Sequence, residues 1–267
     1  MNLAPPSVRA RSFDAWADEY ERFRPSYPTG LFDLIADRLR LPDHPAAVDL
    51  GAGTGKVARA VAVRGWRVTA VEPGEGMLAV LLRQAATEGV QVEAVRASAE
   101  ETGLPDAGFD AALAGEAYHW FDAPAALAEM ARIVRPGGGI AFFWNVIDAD
   151  RFALIEGERR LVAEHGIDGP EPLTRPGPRA ETGDAVRAAG RFGEPEFVQV
   201  HHVRSMTGEE YAGLARTKSH LRTAPPEVQE RYVRAFGEML ASHGIGAADR
   251  FDVPYVVDCW IATRSAP

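Results

Sequence analysis

Cysteine is almost absent from this chain. Cys259 stands alone among 267 residues, which excludes an intrachain disulfide and any cysteine-rich zinc site, and which suits a reducing, cytoplasmic setting. Lysine is nearly as scarce, with only Lys56 and Lys218. Arginine supplies the positive charge, and acids still outweigh it to a formal net charge of −9 and a pI near 5.3. A chain this acidic lacks the basic face that a phosphate backbone requires, so nucleic acid is not an expected partner. No uncharged apolar run approaches the ~18 residues of a membrane span, and "MNLAPPSVRARSF" at the N-terminus has no apolar core of a signal peptide. A membrane is therefore not an expected partner either. What is present is an ordinary globular composition, 46% hydrophobic and 25% charged, in a chain long enough for one full-sized domain with a real core.

The hydrophobic pattern changes period along the chain. Phe13, Trp16, Tyr20 and Phe23 recur at helical spacing in "FDAWADEYERF", and a second amphipathic helix is expected over about 29–41. From "AAVDLG" onward, short apolar runs alternate with helical stretches. Strands are expected at "AAVDLG", "WRVTAVE", "VQVEAVRA", "FDAALAG" and "GIAFFWN", with helices over 56–64, 75–88 and 123–134, the last capped by Asp122. Such alternation implies a parallel sheet covered on both faces. Past Asn145 the pattern becomes a helix over 148–165, a Pro/Gly-rich loop around 170–184, and two long strands, "EPEFVQVHHVRSMT" and "RFDVPYVVDCWIATR". Between those strands lie helices over about 208–221 and 226–243.

The strand-to-helix turn in "AVDLGAGTGKVARAV" (47–61) carries the most chemistry. A phosphate-cradling P-loop is ruled out, because Leu50 stands where its first glycine belongs and Val57 follows Lys56. A dinucleotide fingerprint is incomplete, because Lys56 occupies the place of its last glycine. Asp49 decides between the remaining ligands. A carboxylate beside the turn repels a pyrophosphate and attracts an ammonium, by a few kcal/mol at intermediate dielectric. Glu72 ends the next strand, where an acid can accept both hydroxyls of a ribose. Together the two acids suit a ligand with an amino-acid end and a nucleoside end.

"VDLGAGTG", "VTAVEPGEGML", "RASAEETGLPDAGFDAALAGEAYHWFD" and "RIVRPGGGIAFFWN" resemble, in order and spacing, the successive motifs of class I S-adenosylmethionine-dependent methyltransferases. "FDAWADEYERFRPSYP" and "YHWFD" resemble the small-molecule branch that includes trans-aconitate methyltransferase-like enzymes. The resemblance implies a doubly wound, mostly parallel, seven-stranded Rossmann-like α/β sheet whose last strand is antiparallel. It implies a single domain over 1–267, with a substrate cap built from the helices over 13–41 and the segments 146–192 and 206–250. S-adenosylmethionine is the implied cofactor. Asp49, Gly51, Ala52 and Gly53 would face its methionine part, and Glu72 its ribose. Pro73, Met77, Ser98, Ala99 and Glu100 would surround the adenine. Gly115 and Glu116 would line the methionine chain, while Tyr20 and Arg24 close over the cofactor, Arg24 on its carboxylate.

Methyl transfer is an in-line displacement that asks chiefly for alignment and exclusion of water. A base is needed only where the acceptor must lose a proton. His119 in "GEAYHWF" is the candidate base. Trp16, Tyr118, Trp120, Trp144, Asn145 and His220 are candidate walls of the acceptor site. Lys218, His220 and Arg222 offer positive charge to an anionic acceptor. His201 and His202 point to opposite faces of a strand and cannot pair on a metal, so no metal site is expected. The expected activity is O- or N-methylation of a small-molecule acceptor by a monomer or homodimer. A catalytically silent cofactor-binding relative, acting as a partner or regulator, is the other reading.

Overall fold

The computed structural model describes residues 16–167, 179–222 and 224–266. Phe13 of the first aromatic stripe and most of the Pro/Gly-rich loop lie outside them, as does the side chain of His220. The strands are β1 (Ala46–Leu50), β2 (Arg67–Val71), β3 (Glu93–Val95), β4 (Phe109–Gly115), β5 (Val134–Ile147), β6 (Glu196–Thr207) and β7 (Arg250–Thr263). They form one seven-stranded sheet in the order β3-β2-β1-β4-β5-β7-β6. β1 to β5 pair in parallel, and β7 inserts antiparallel between β5 and β6. Fold class and topology thus match the expectation from sequence.

The helices are α1 (Ala17–Phe23), α2 (Thr29–Leu39), α3 (Lys56–Ala62), α4 (Glu75–Glu88), α5 (Ala123–Ile133), α6 (Ile155–Glu164), α7 (Ala180–Ala189), α8 (Gly208–Arg216), α9 (Ser219–Arg222) and α10 (Pro226–Ser242). Asp122 caps α5 by accepting from the Ala125 amide, and Pro124 sits in its first turn. Thr207 and Glu210 form a reciprocal capping box at α8. Each sheet face packs its own core. Leu31, Ile35, Val57, Val61 and Leu81 cover one face over Ala47, Leu113 and Phe143. Leu127, Met130 and Val186 cover the other over Val48, Phe142 and Trp260.

A third core belongs to a separate helical layer at one end of the sheet. It gathers Phe152, Ile155, Leu161, Tyr211, Leu214, Tyr232 and Phe236 against Tyr255 and Val253 of β7. Four details depart from the sequence pattern. β3 keeps only Glu93–Val95, and the helix anticipated from 148 starts at Ile155. The helix anticipated over 208–221 divides at Thr217 into α8 and α9. Residues 180–184, anticipated as loop, begin α7, which packs on the sheet through Val186 and through Gly183 beneath the Trp260 ring. Within 146–192, the helical layer therefore draws on 147–167, while α7 belongs to the sheet.

Candidate active site

The glycine turn is folded by its backbone. Gly51, Gly53 and Gly55 have φ of +66°, +56° and +82°, a region costly for any side chain bearing Cβ. The amides of Gly51 and Ala52 both donate to the Val71 carbonyl, at 2.9 and 3.1 Å, which draws the turn over the end of β2. A Cβ on Gly51 would lie 2.7 Å from that of Ala117, whereas one on Gly53 would meet nothing within 4 Å. Gly53 thus faces open space. Glu72 completes the turn: its Oε2 accepts from the Gly53 amide at 2.9 Å and its Oε1 from the Gly74 amide at 2.8 Å. Two backbone donors hold this carboxylate at the tip of β2.

Asp49 lies deeper than a side chain at a pocket mouth. It is 1% exposed, and its Oδ2 accepts from the Ala58 amide of α3 at 3.0 Å. Burial pushes its pKa from 3.8 up to about 8; the Ala58 hydrogen bond opposes the rise and the charge of Glu72 adds to it. Glu116, just past β4, adopts φ +55° and accepts from the Asn145 amide at 2.7 Å. Burial raises its pKa, and Arg24, the Asn145 amide and Arg179 pull it back. Three acids therefore stand at the ends of β1, β2 and β4, around the glycine turn.

Tyr20 and Tyr27 share this space. Tyr20 titrates high chiefly through burial, with Arg24, Glu116 and Glu72 acting on it. Tyr27 is shifted well upward by burial, with Glu116, Tyr20 and Asp49 contributing. Its hydroxyl lies 2.7 Å from where a Cβ on Gly115 would stand, with Phe143 equally near. Arg24 donates to the Thr217 carbonyl at 3.0 Å, and its guanidinium lies 5.3 Å from the Tyr20 ring centre. Met77 is buried with Ala17 and Val80 against Tyr20, so it anchors α1. Ala99 is buried, Pro73 half-buried and Ser98 exposed, while Glu100 accepts from the Asp122 amide at 2.9 Å.

The candidate acceptor residues separate. Tyr118 is buried and stacks on Phe142 at 4.1 Å, within the core of one sheet face. Burial drives its hydroxyl up to about 12. Trp144 is 1% exposed and donates from Nε1 to His119 Nδ1 at 3.2 Å. With Nδ1 accepting, the neutral His119 ring carries its proton on Nε2. Trp120 is half-buried beside it, with ring centres 4.9 Å apart. Asn145 donates to the Ser26 carbonyl at 3.2 Å and accepts from His202 Nε2 at 3.0 Å. Trp16, the N-cap residue of α1, is 47% exposed under the Arg222 guanidinium.

Four side chains near this site escaped the sequence pattern. His202 stacks on Tyr255 with ring centres 5.4 Å apart, and Arg204 acts electrostatically on both. Arg179 covers the Trp144 ring at 4.8 Å. Only strand alternation signalled which face His202 and Arg204 share. Of the two lysines, Lys218 is paired with Glu158, and burial first and Arg24 second lower its pKa to about 7. Among the described residues no cluster of His, Cys, Asp and Glu could hold a metal, and no helix is long and apolar enough to cross a membrane.

Asp49 has no cation within 4.0 Å among the described residues, and Gly53 opens on free space beside the clasped Glu72. These features fit an ammonium and a ribose. Residues 48–142 match the family model of the methyltransferase domain. An uncharacterised methyltransferase of Mycobacterium tuberculosis is 32% identical over 257 residues, covering 94% of this chain and 95% of its own. A candidate type II methyltransferase of Anaeromyxobacter dehalogenans superposes with a TM-score of 0.69 at 25% identity, covering 92% of this chain and 100% of that one. Haemonchus contortus phosphoethanolamine N-methyltransferase 2, solved with phosphomonomethylethanolamine and S-adenosylhomocysteine, shares the fold at a TM-score of 0.57 and 18% identity, covering 98% and 59%. The sheet order and the glycine turn, with these similarities, define a class I, S-adenosylmethionine-dependent methyltransferase. The chain belongs to the methyltransferase family, along nearly the whole length of its mycobacterial relative.

Proposed function

We propose that this chain methylates the oxygen or nitrogen of a small-molecule acceptor, in the manner of the trans-aconitate methyltransferase-like branch. The observation that carries the cofactor half of this reading is the ring of Asp49, Glu72 and Glu116 around a backbone-clasped glycine turn. When bound, S-adenosylmethionine supplies an electrophilic methyl group on a sulfonium, which departs as a neutral thioether. Asp49 offers a charge for the ligand amine, with Gly51 and Ala52 forming the turn beside it. Glu72, held by two amides at the tip of β2, serves the ribose hydroxyls. Pro73, Met77, Ser98, Ala99 and Glu100 flank the adenine, and Gly115 and Glu116 the methionine chain. Tyr20 and Arg24 close from above, and α1 with the helical layer forms the cap that excludes water.

On the acceptor side, Asn145, Trp144, Trp120 and His119 border the region beyond Glu116, with Trp16, Tyr118 and His220 completing the set read from sequence. Because His119 Nδ1 accepts from Trp144, a base role requires the ring first to give up that bond. His119 then serves either as the base or as an aligning residue held by the indole. Titration calorimetry with S-adenosylmethionine and S-adenosylhomocysteine tests the reading. Wild type is expected to bind both, and Asp49→Ala to bind at least about a hundredfold more weakly, as for losing one charge-assisted contact and its geometry. Absence of binding to the wild type overturns the function, and unchanged affinity in the variant overturns the role of Asp49. His119→Ala is expected to lower kcat while leaving the affinity for S-adenosylhomocysteine unchanged.

A further inference from the structure

Two of the most buried guanidinium groups elsewhere in the molecule are matched to acids. Arg59, at 7% side-chain exposure, pairs with Glu21 at 2.6 Å and with Glu88, and Arg222 pairs with Glu19. Two half-buried arginines bordering the acceptor region are not. Arg204 of β6 and Arg179 at the start of α7 have no acid within 4.0 Å among the described residues. Each keeps a nitrogen out of reach of solvent without a hydrogen-bond partner, Nη1 in Arg204 and Nε in Arg179. Leaving one buried donor unsatisfied costs about 1–3 kcal/mol, and more when the group is charged. Arg216 and Arg264 are likewise half-buried, each with one unsatisfied nitrogen and no acid within 4.0 Å among the described residues, so it is position that singles out Arg204 and Arg179.

Both sit where an acceptor must approach. Arg179 stacks over Trp144 and acts on Glu116. Arg204 acts on His202 and Tyr255, and Tyr255 in turn feels Arg24 and Glu116. In antiparallel register, Trp144 faces Asp258, Asn145 faces Val257, and His202 faces Tyr255. Arg204 thus shares the sheet face of His202 and Tyr255, Arg179 comes in over Trp144, and Glu116 acts with both Arg179 and Tyr255. Arg24 is also incompletely satisfied at Nε, but it lies over Tyr20 and is left to the cofactor.

We propose that Arg204 and Arg179 form an oxyanion-binding subsite that selects a small acceptor bearing a carboxylate or phosphate group. This rests on the methyltransferase reading above and narrows the acceptor class. A planar guanidinium matches a carboxylate or phosphate in two-point geometry, and it stays charged at any physiological pH. Asn145 and His202, already bonded to each other, stand as a polar shelf beside it.

The test is calorimetry on protein first saturated with S-adenosylhomocysteine, so that the cofactor's own carboxylate site is filled. Benzoate, succinate and inorganic phosphate are titrated at constant ionic strength, with benzamide and succinamide as neutral partners. At least one anion is expected to bind saturably, with its neutral partner at least about tenfold weaker. Benzoate or succinate without phosphate assigns a carboxylate, and the reverse assigns a phosphate. Arg204→Met and Arg179→Met should each weaken that anion by about tenfold or more, while Arg204→Lys retains part of the affinity. S-adenosylhomocysteine affinity should be unchanged in all three variants. Failure of S-adenosylhomocysteine to bind the wild type would count against the methyltransferase reading itself. Normal binding of it with no anion binding, or with anion binding indifferent to both arginines, overturns the subsite alone.

Discussion

Asp49 carries opposite demands in one side chain. Its burial is what makes it a strong partner for a cation in a low-dielectric site, and the same burial makes its ionised form costly without that cation. The sign of the pH dependence follows from a folded pKa of about 8 against an ordinary value of 3.8. Below about pH 4 the group is protonated whether the chain is folded or not. Between about 4 and 8 the unfolded chain releases the proton and the folded chain keeps it, so stability falls as pH rises and levels off above 8. The loss reaches at most about 4 kcal/mol at pH 7, at 1.36 kcal/mol per unit. Asp49→Asn removes this penalty. Thermal unfolding of the ligand-free variant is expected several degrees above wild type at pH 8, with the difference vanishing near pH 4. A variant less stable than wild type at pH 8 would mean that the Ala58 hydrogen bond needs the carboxylate itself. Position 49 was legible as an acid at a strand end; its depth was not, because burial depends on how α3 closes over β1.

At the scale of elements, two glycines are required for different reasons, close packing at Gly115 and backbone conformation at Gly53. A Cβ on Gly115 would fall 2.7 Å from both Phe143 and the Tyr27 hydroxyl and 2.8 Å from Val57. Gly115→Ala is thus an overpacking change, expected to cost about 1–3 kcal/mol of stability by denaturant unfolding. Gly53→Ala meets no neighbour but strains a backbone at φ +56°. It is expected to cost about 1 kcal/mol of stability and to weaken S-adenosylhomocysteine binding, as calorimetry would show. The strand–helix alternation and the glycine turn were readable because apolar period and turn chemistry are local properties of the chain. Elements outside the β1–β5 core were read less well. α7 looked like loop because Gly183 and Thr182 are weak helix formers, yet Gly183 is required beneath the Trp260 ring. Arg179 and Arg204 were invisible as a pair, because 24 residues, with all of α7 and the first part of β6 among them, lie between the two positions. Trp16 and Tyr118 were read as acceptor walls from their aromatic character. Trp16 lies under Arg222 and Tyr118 stacks on Phe142, and composition foretells neither placement.

At the scale of the whole molecule, α1 ties the sheet body to the helical layer. On the body side, Asp18 pairs with Arg83 and Glu21 with Arg59 and Lys56, while Ala17 and Tyr20 pack on Met77 and Val80. On the layer side, Glu19 pairs with Arg222 and Arg22 with Glu209 at 2.7 Å, and Phe23 lies against Gly213, where any Cβ would strike its ring. This short helix carries Tyr20 against Met77, and under the proposed function its docking and the closure of the site are one event. The ion pairs differ in weight. Arg22 and Glu209 have side chains 65% and 57% exposed, so their pairing contributes at most a few tenths of a kcal/mol. Glu21 joins two cations at 16% exposure, where Arg59 is 7% and Lys56 12% exposed, and losing it leaves both without that partner in a poorly solvated place. Glu21→Gln is therefore expected to speed hydrogen exchange across 17–23 and to weaken S-adenosylhomocysteine binding by about tenfold, with global unfolding shifted much less. Arg22→Ala should change that affinity less than twofold. If the two variants behave alike, α1 is held by its apolar contacts, and Glu21 is not what keeps it closed.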